Sequence, residues 1–379
     1  MGGGLRSLIV AALLTSAAFG AGAQAPGVSD TQVLIGQVAA VSGPAAELGK
    51  RMQAGLQAYF AEVNRQGGVN GRQLKLITRD DGYEPEKTAV AAKGLIQDDK
   101  VFALAGSVGT PTGLALLPIV TEAKVPLVGM FTGAQALREP LNRQVFHVRA
   151  SYYDETERIV QHLTTLGLKK IAVFHQNDAY GKAGLDGVTR ALAQRQLKPV
   201  ALGTVERNSS DIDKALGEIL AAAPEAVVQI GAYKACAAFI KGARAKGYGG
   251  QFFNVSFVGS KALADELGSS GTGVVISQVV PFPFQALSPV VREYQQHMTA
   301  GGDKDFDFTS LEGYLTARVL VEGLRRSGKA LTREGLVTAL ESLREHDFGG
   351  FTVSYSSTRH QGSKLTDLTI IAGPGRFVR

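Results

Sequence analysis

What most constrains the fold of this chain is an alternation. Short apolar runs end in small-residue turns, and each turn opens a segment of helical period. Val101 to Ala123 shows it best. Val101–Ala105 is an apolar run short enough for a buried strand, and Gly106-Ser107-Val108-Gly109 is its turn. Thr110 is a good N-cap, and Pro111 suits the first helical position, where the N–H it lacks has no partner to lose. Leu114, Leu117 and Val120 or Thr121 then recur at helical spacing. The next unit repeats the plan, with Val125–Gly129 as strand and Thr132-Gly133-Ala134 as turn, the unit running to Leu137. Strands alternating with helices predict an α/β fold with mostly parallel sheets and helices on both faces. Both turns then lie at the carboxyl edge of one sheet, where open α/β folds bind ligands. Backbone N–H groups and a helix dipole converging near Gly109 and Thr110 suit an anion such as a carboxylate. Taken singly, each turn also reads as an ordinary strand–helix connection.

The N-terminus reads as a leader. Arg6 supplies a positive region, Leu8–Phe19 an apolar one, and Ala21-Gly22-Ala23 a small-x-small cleavage pattern, so cleavage is expected near Ala23. The apolar run is too short for a comfortable membrane span. The single cysteine, Cys236, lies far from the leader, which predicts neither a lipoprotein anchor nor an intramolecular disulfide. The chain has 379 residues. Roughly 355 of them remain after cleavage, more than a single core supports, so two lobes are expected. Forty Lys and Arg against 34 Asp and Glu give a modest excess that is scattered rather than run together, so nucleic acid is not implied as a partner.

In chain order, Gln32–Val38 reads as the first strand, Leu48–Val63 as a helix with Met52, Leu56, Tyr59, Phe60 and Val63 on one face, and Leu74–Thr78 as the second strand. A helix runs from Pro85 to Gln97, and Val145–Ala150 is strand-like. A second doubly wound unit follows, with strands at Lys170–Phe174, Val200–Thr204, Ala226–Ile230 and Gln251–Val255. Ser210 with Asp213 resembles a capping box. After Gly273–Val280, Pro281-Phe282-Pro283-Phe284 reads as a return connection to helices Pro289–Met298, Ser310–Arg326 and Arg333–Leu343. Phe348–Tyr355 reads as a closing hairpin arm and Leu368–Ile371 as a last strand.

Several segments together resemble the periplasmic leucine/isoleucine/valine-type binding proteins of ABC transporters. They are Ile35-Gly36 through Ser42-Gly43-Pro44, Leu48-Gly49, Asn64 to Gly71, Asp80 to Pro85, the Thr110 loop, Asn177 to Gly181, and Gly231 to Tyr233. Their order and spacing, over nearly the whole mature chain, carry the resemblance. It implies two doubly wound parallel-sheet lobes joined by three crossovers, with ligand in the inter-lobe cleft. Lobe 1 would take 28–150 plus 281–350, and lobe 2 would take 151–280 plus 351–379. It implies no enzyme activity and no cofactor, and the scattered histidines and remote single cysteine suggest no metal site. It also implies a monomer in the periplasm that hands a small carboxylate to an inner-membrane permease after hinge closure.

Carried over residue by residue, the carboxylate site is Gly109 and Thr110 with Thr132 or Gly133. Tyr180 and Tyr233 match positions from which the second lobe closes aromatic side chains on the ligand, and Leu48 matches a pocket-wall position often held by an aromatic residue. Family members that bind amino acids hold the ammonium with an acid in the turn after the Gln251–Val255 strand, where this chain has Ser256. The companion acidic position is Tyr152, with Asp154 two residues on. A buried ammonium needs a paired charge or several good acceptors. The ligand class therefore widens to carboxylates without an α-amine, while Asp154, water or backbone carbonyls stay open as alternative holders of an amine. Arg149, near the cleft, reads either as an inter-lobe ion pair or as a partner for a second carboxylate.

Two other functions compete. A sensor that presents its closed form to a membrane receptor would have the same sequence features. Ala105-Gly106-Ser107-Val108-Gly109 nearly spells the G-x-S-x-G nucleophile elbow, which would make Ser107 the nucleophile of a secreted hydrolase. A dehydrogenase fails because the first strand is followed by Ser42-Gly43-Pro44 and not by G-x-G-x-x-G.

Overall fold

The computed structural model describes Met1 and residues 25–379, so Arg6, the apolar run Leu8–Phe19 and the cleavage site at Ala23 lie outside the described residues. The first sheet has five parallel strands, β1 (Gln32–Ala39), β2 (Gln73–Asp80), β3 (Ala103–Ala105), β4 (Leu127–Val128) and β5 (Val145–Phe146), in the order β2-β1-β3-β4-β5. Helices α1 (Ala46–Arg65), α2 (Pro85–Gln97) and α3 (Thr110–Glu122) connect them.

The chain then enters a second unit through α4 (Tyr152–Thr165). It continues through β6 (Ile171–Gln176), α5 (Ala179–Ala193), β7 (Leu202–Val205), α6 (Asp213–Ala221), β8 (Ala226–Ile230), α7 (Tyr233–Ala245), β9 (Gln251–Asn254), α8 (Ser260–Leu267) and β10 (Val275–Gln278). It returns for α9 (Pro289–Ala300), α10 (Phe308–Arg326), α11 (Arg333–Glu341) and the short hairpin β11 (His346–Asp347) and β12 (Thr352–Val353). It ends in the second sheet with β13 (Asp367–Gly373) and β14 (Arg376–Val378). The chain thus passes between the units after β5, after β10 and after β12. The first and third passages run side by side, with the Gly362 and Ser363 amides donating to the carbonyls of His147 and Val148.

The central strands read as the sequence predicts because parallel sheets covered on both faces are apolar throughout. β6, for example, is buried along its whole length. The second sheet is mostly parallel, with an antiparallel end in which β13 pairs antiparallel with β10 and β14 antiparallel with β13. Pro374-Gly375 alone separates those last two strands, which leaves no room for a crossover helix.

Three local expectations also change. The unit from Val125 to Leu137 has no full helix, only the one-turn stretch Gln135–Leu137, because Pro140 follows at once. The N-cap of α3 is Gly109 rather than Thr110, and Leu116 and Val120 form the buried face in place of Leu114 and Leu117. Ser210 and Asp213 form no capping box: Ile212 is the N-cap of α6 and makes no side-chain bond there. The capping box is instead at the start of α4, between Ser151 and Asp154.

α1 and α10 pack so closely that two glycines are required at their crossing. A Cβ on Gly313 would lie 2.2 Å from the Met52 carbonyl oxygen, and one on Gly55 would lie 1.9 Å from that of Ser310. The contact anchors α10 to the first unit, which places Glu312 at the boundary between the two units.

Candidate functional site

The carboxyl ends of β2, β3 and β4 face those of β6, β8 and β9 across the boundary. At the end of β3 the chain turns through Gly106 (φ 66°) and Gly109 (φ 107°) into α3. A side chain at Gly109 is excluded twice. Its φ is one that L-residues avoid, and a Cβ would sit 2.3 Å from the Tyr83 ring. No side chain caps α3, and the buried Ser107 hydroxyl beside it has no hydrogen-bond partner among the described residues. A buried helix N-terminus without a cap leaves donors that need an acceptor.

Thr110 and Thr132 come together there. Their hydroxyls are 2.6 Å apart and fully buried. The Thr132 hydroxyl also reaches the Tyr152 hydroxyl at 3.4 Å. Gly133 lies flat against the start of α4, where a Cβ would meet the Tyr152 backbone nitrogen at 2.6 Å, and its carbonyl accepts from the Tyr152 amide. Burial raises the Tyr152 phenol to about 12, so it stays a neutral donor at physiological pH.

Aromatic rings surround this polar cluster. Tyr180 lies 5.5 Å from Tyr152 and 4.5 Å from Phe257, and Phe257 contacts Phe131 at 5.3 Å and Tyr83 at 5.9 Å between ring centres. Tyr83, Phe131 and Phe257 were not singled out from sequence. The available signal was position alone, since each lies just past the carboxyl end of a strand. Tyr83 is held at φ 64°, a strained value for a buried aromatic residue, and its hydroxyl accepts from Gln176 in the other unit at 3.3 Å.

Behind the rings lies a buried charge cluster. Arg149 is fully buried, with its guanidinium carbon 5.1 Å from the centre of the Phe131 ring and 5.9 Å from that of Tyr152. Its Nη2 donates to Glu155 at 2.8 Å and to the Ser256 hydroxyl. Glu155 also accepts from the Ser256 amide at 2.8 Å and the Ser277 hydroxyl at 2.5 Å. Glu312, on α10, faces Arg149 Nη1 at 3.6 Å. Burial pushes the Glu312 carboxyl up to about 7, against the pull of Arg149. Ser256 is therefore part of an ion-pair network joining both units, and Arg149 is its hub. Asp154 is taken up by the Ser151 amide and hydroxyl at 2.9 and 2.6 Å.

Leu48 and Tyr233 lie elsewhere, on an open cleft of about 600 Å³ at the mouth of the boundary, with Arg51, Lys234, Lys261 and Asp305 on its walls. Leu48 packs across the boundary against Gly259, where a Cβ would meet its methyl at 2.5 Å. The units are also bridged at their edges, by Arg207 to Glu84 at 2.9 Å and by Lys261 to Asp305 at 3.3 Å.

Residues 32–371 match the family described as periplasmic binding protein. The chain belongs to that family. This binding protein is 37% identical to a solved structure described as a possible leucine/isoleucine/valine-binding protein from Rhodopirellula baltica, over 92% of this chain and 97% of that one, with a TM-score of 0.88. It is 23% identical to Leu/Ile/Val-binding protein homolog 3 of Brucella melitensis, over 94% of this chain and 96% of that protein. A fatty acid ABC transporter substrate-binding protein from Thermomonospora curvata has the same fold, with 22% identity, coverage of 94% and 92%, and a TM-score of 0.82. These relatives are binding proteins rather than enzymes. The geometry gives the hydrolase reading of Ser107 no support, because its hydroxyl has no partner among the described residues and none of the six histidines, all described, hydrogen-bonds to it.

Proposed function

We propose that the protein captures a small carboxylate in the cleft between lobe 1 (28–150 plus 281–350) and lobe 2 (151–280 plus 351–379). It acts as a monomer in the periplasm, after cleavage near Ala23, and delivers its ligand to an ABC permease of the inner membrane. The observation that carries the reading is the uncapped, buried N-terminus of α3 beside the Ser107, Thr110 and Thr132 hydroxyls. A carboxylate satisfies those donors and meets the positive end of the helix dipole. The Tyr83, Phe131, Tyr152, Tyr180 and Phe257 rings suit an apolar ligand body. Hinge closure then brings Tyr180 and Ser256 of lobe 2 onto the carboxylate site of lobe 1, with Gly133 at its wall, while Leu48 and Tyr233 line the outer cleft at the mouth.

A thermal-shift screen of ligand-stripped mature protein tests this, because a ligand that binds only the folded state raises Tm. Aromatic and branched aliphatic carboxylates should raise Tm in wild type, and Thr110→Val and Thr132→Val should each weaken that response by about tenfold or more in concentration. Equal stabilisation by the corresponding primary amides would refute the carboxylate site.

A further inference from the structure

The least explained feature of the cluster is Arg149. It is fully buried, yet its Nε and Nη1 have no hydrogen-bond partner among the described residues. A buried cation with idle donors is costly unless something supplies acceptors. The guanidinium lies against Phe131 and Tyr152, the rings adjoining the Thr110 and Thr132 hydroxyls. The nearby acids are already committed, Glu155 to three donors, Asp154 to the cap of α4, and Glu312 to an ion pair with Arg149 Nη1 at 3.6 Å, beyond hydrogen-bond reach. An ammonium beside a carboxylate held at α3 would therefore meet the guanidinium and acids already paired with it, rather than a free acid.

We propose that Arg149 is a specificity-determining residue that selects carboxylic acids without an α-ammonium and excludes α-amino acids. The inference rests on the carboxylate site proposed above. The favoured ligand has an aromatic or branched aliphatic body, and an acceptor oxygen near the carboxylate would engage the idle donors.

The test is calorimetric titration of ligand-stripped mature protein with matched pairs. L-phenylalanine is set against 3-phenylpropionate and phenylpyruvate, and L-leucine against 4-methylpentanoate and 4-methyl-2-oxopentanoate. The amine-free member should bind tighter by about a hundredfold, the order expected from a like-charge contact in a partly shielded site. Arg149→Gln should compress that ratio below about tenfold, a change that a purely structural role would not produce. Thr110→Val should weaken both members alike. The wild-type ratio needs no variant, so it decides the matter even if Arg149→Gln fails to fold, and Glu312→Gln, which keeps Arg149, should retain the preference. Amino acids binding as tightly as their amine-free partners, with Thr110→Val weakening both, would overturn the role of Arg149 alone. Failure of every carboxylate to bind would overturn the carboxylate site and this inference together.

Discussion

Glu312 makes the buried cluster pH-dependent in a direction that can be worked out. Its carboxyl is raised from 4.5 to about 7 by burial on α10, so the folded protein binds a proton that the unfolded chain has released. The stabilisation is fully present below the unfolded value and is lost as pH rises through about 7. At 1.36 kcal/mol per unit, the shift corresponds to about 3 kcal/mol in total, of which about 2.5 kcal/mol falls between roughly pH 5 and pH 8. Other groups titrate in the same window, among them Asp81, raised to about 6 by burial. The informative quantity is therefore the stability difference between wild type and Glu312→Gln, measured by urea unfolding across that range. Asp81 is common to both proteins and cancels. The variant should gain on wild type by about 2.5 kcal/mol as pH rises, with the steepest change at about pH 5.5 to 6 and a levelling off above about 7. Parallel curves would show that Glu312 ionises normally, and the account of a desolvated cluster around Arg149 would be wrong.

Three further outcomes follow from the packing. Gly109→Ala should abolish ligand binding and destabilise by more than about 2 kcal/mol, since it adds φ strain to a clash with the Tyr83 ring; a binding-competent variant in a titration would contradict this. Gly313→Ala, with its methyl directed at the Met52 carbonyl, should cost about 2 kcal/mol or more by denaturant unfolding while a neutral change would mean that α1 and α10 separate easily. Arg207→Ala removes a half-exposed bridge to Glu84, so it should weaken ligand affinity by less than about fivefold, and the effect should fade in high salt.

The alternation of strands and helices was legible because its signals are local. Pro85 at the first position of α2 marked that helix's start, and β6 announced itself as a continuous apolar run. Thr110 and Thr132 were legible as neighbours because β3 and β4 are successive parallel strands, which bring successive turns to one edge. The rings of Tyr83, Phe131 and Phe257 were not, because they meet only after turns of β2, β4 and β9 face each other across the two units. The Arg149, Glu155 and Glu312 cluster depends on α10 returning to the first unit, a contact no local pattern records. Asp154 looked like a free acid near the cleft, but a serine three residues earlier takes it into the cap of α4. Leu368–Ile371 was legible as a strand, but the antiparallel edge strand β14 beyond it was not, because three residues are too few to show a strand's alternation.

The most direct test of the central claim is a crystal structure of the mature protein with a stabilising acid from the thermal-shift screen. The account predicts the carboxylate at the N-terminus of α3, within hydrogen-bonding distance of the Thr110 and Thr132 hydroxyls, with the apolar body among Tyr83, Phe131, Tyr180 and Phe257. A ligand bound instead in the outer cleft, with its carboxylate on Arg51, Lys234 or Lys261, would contradict it.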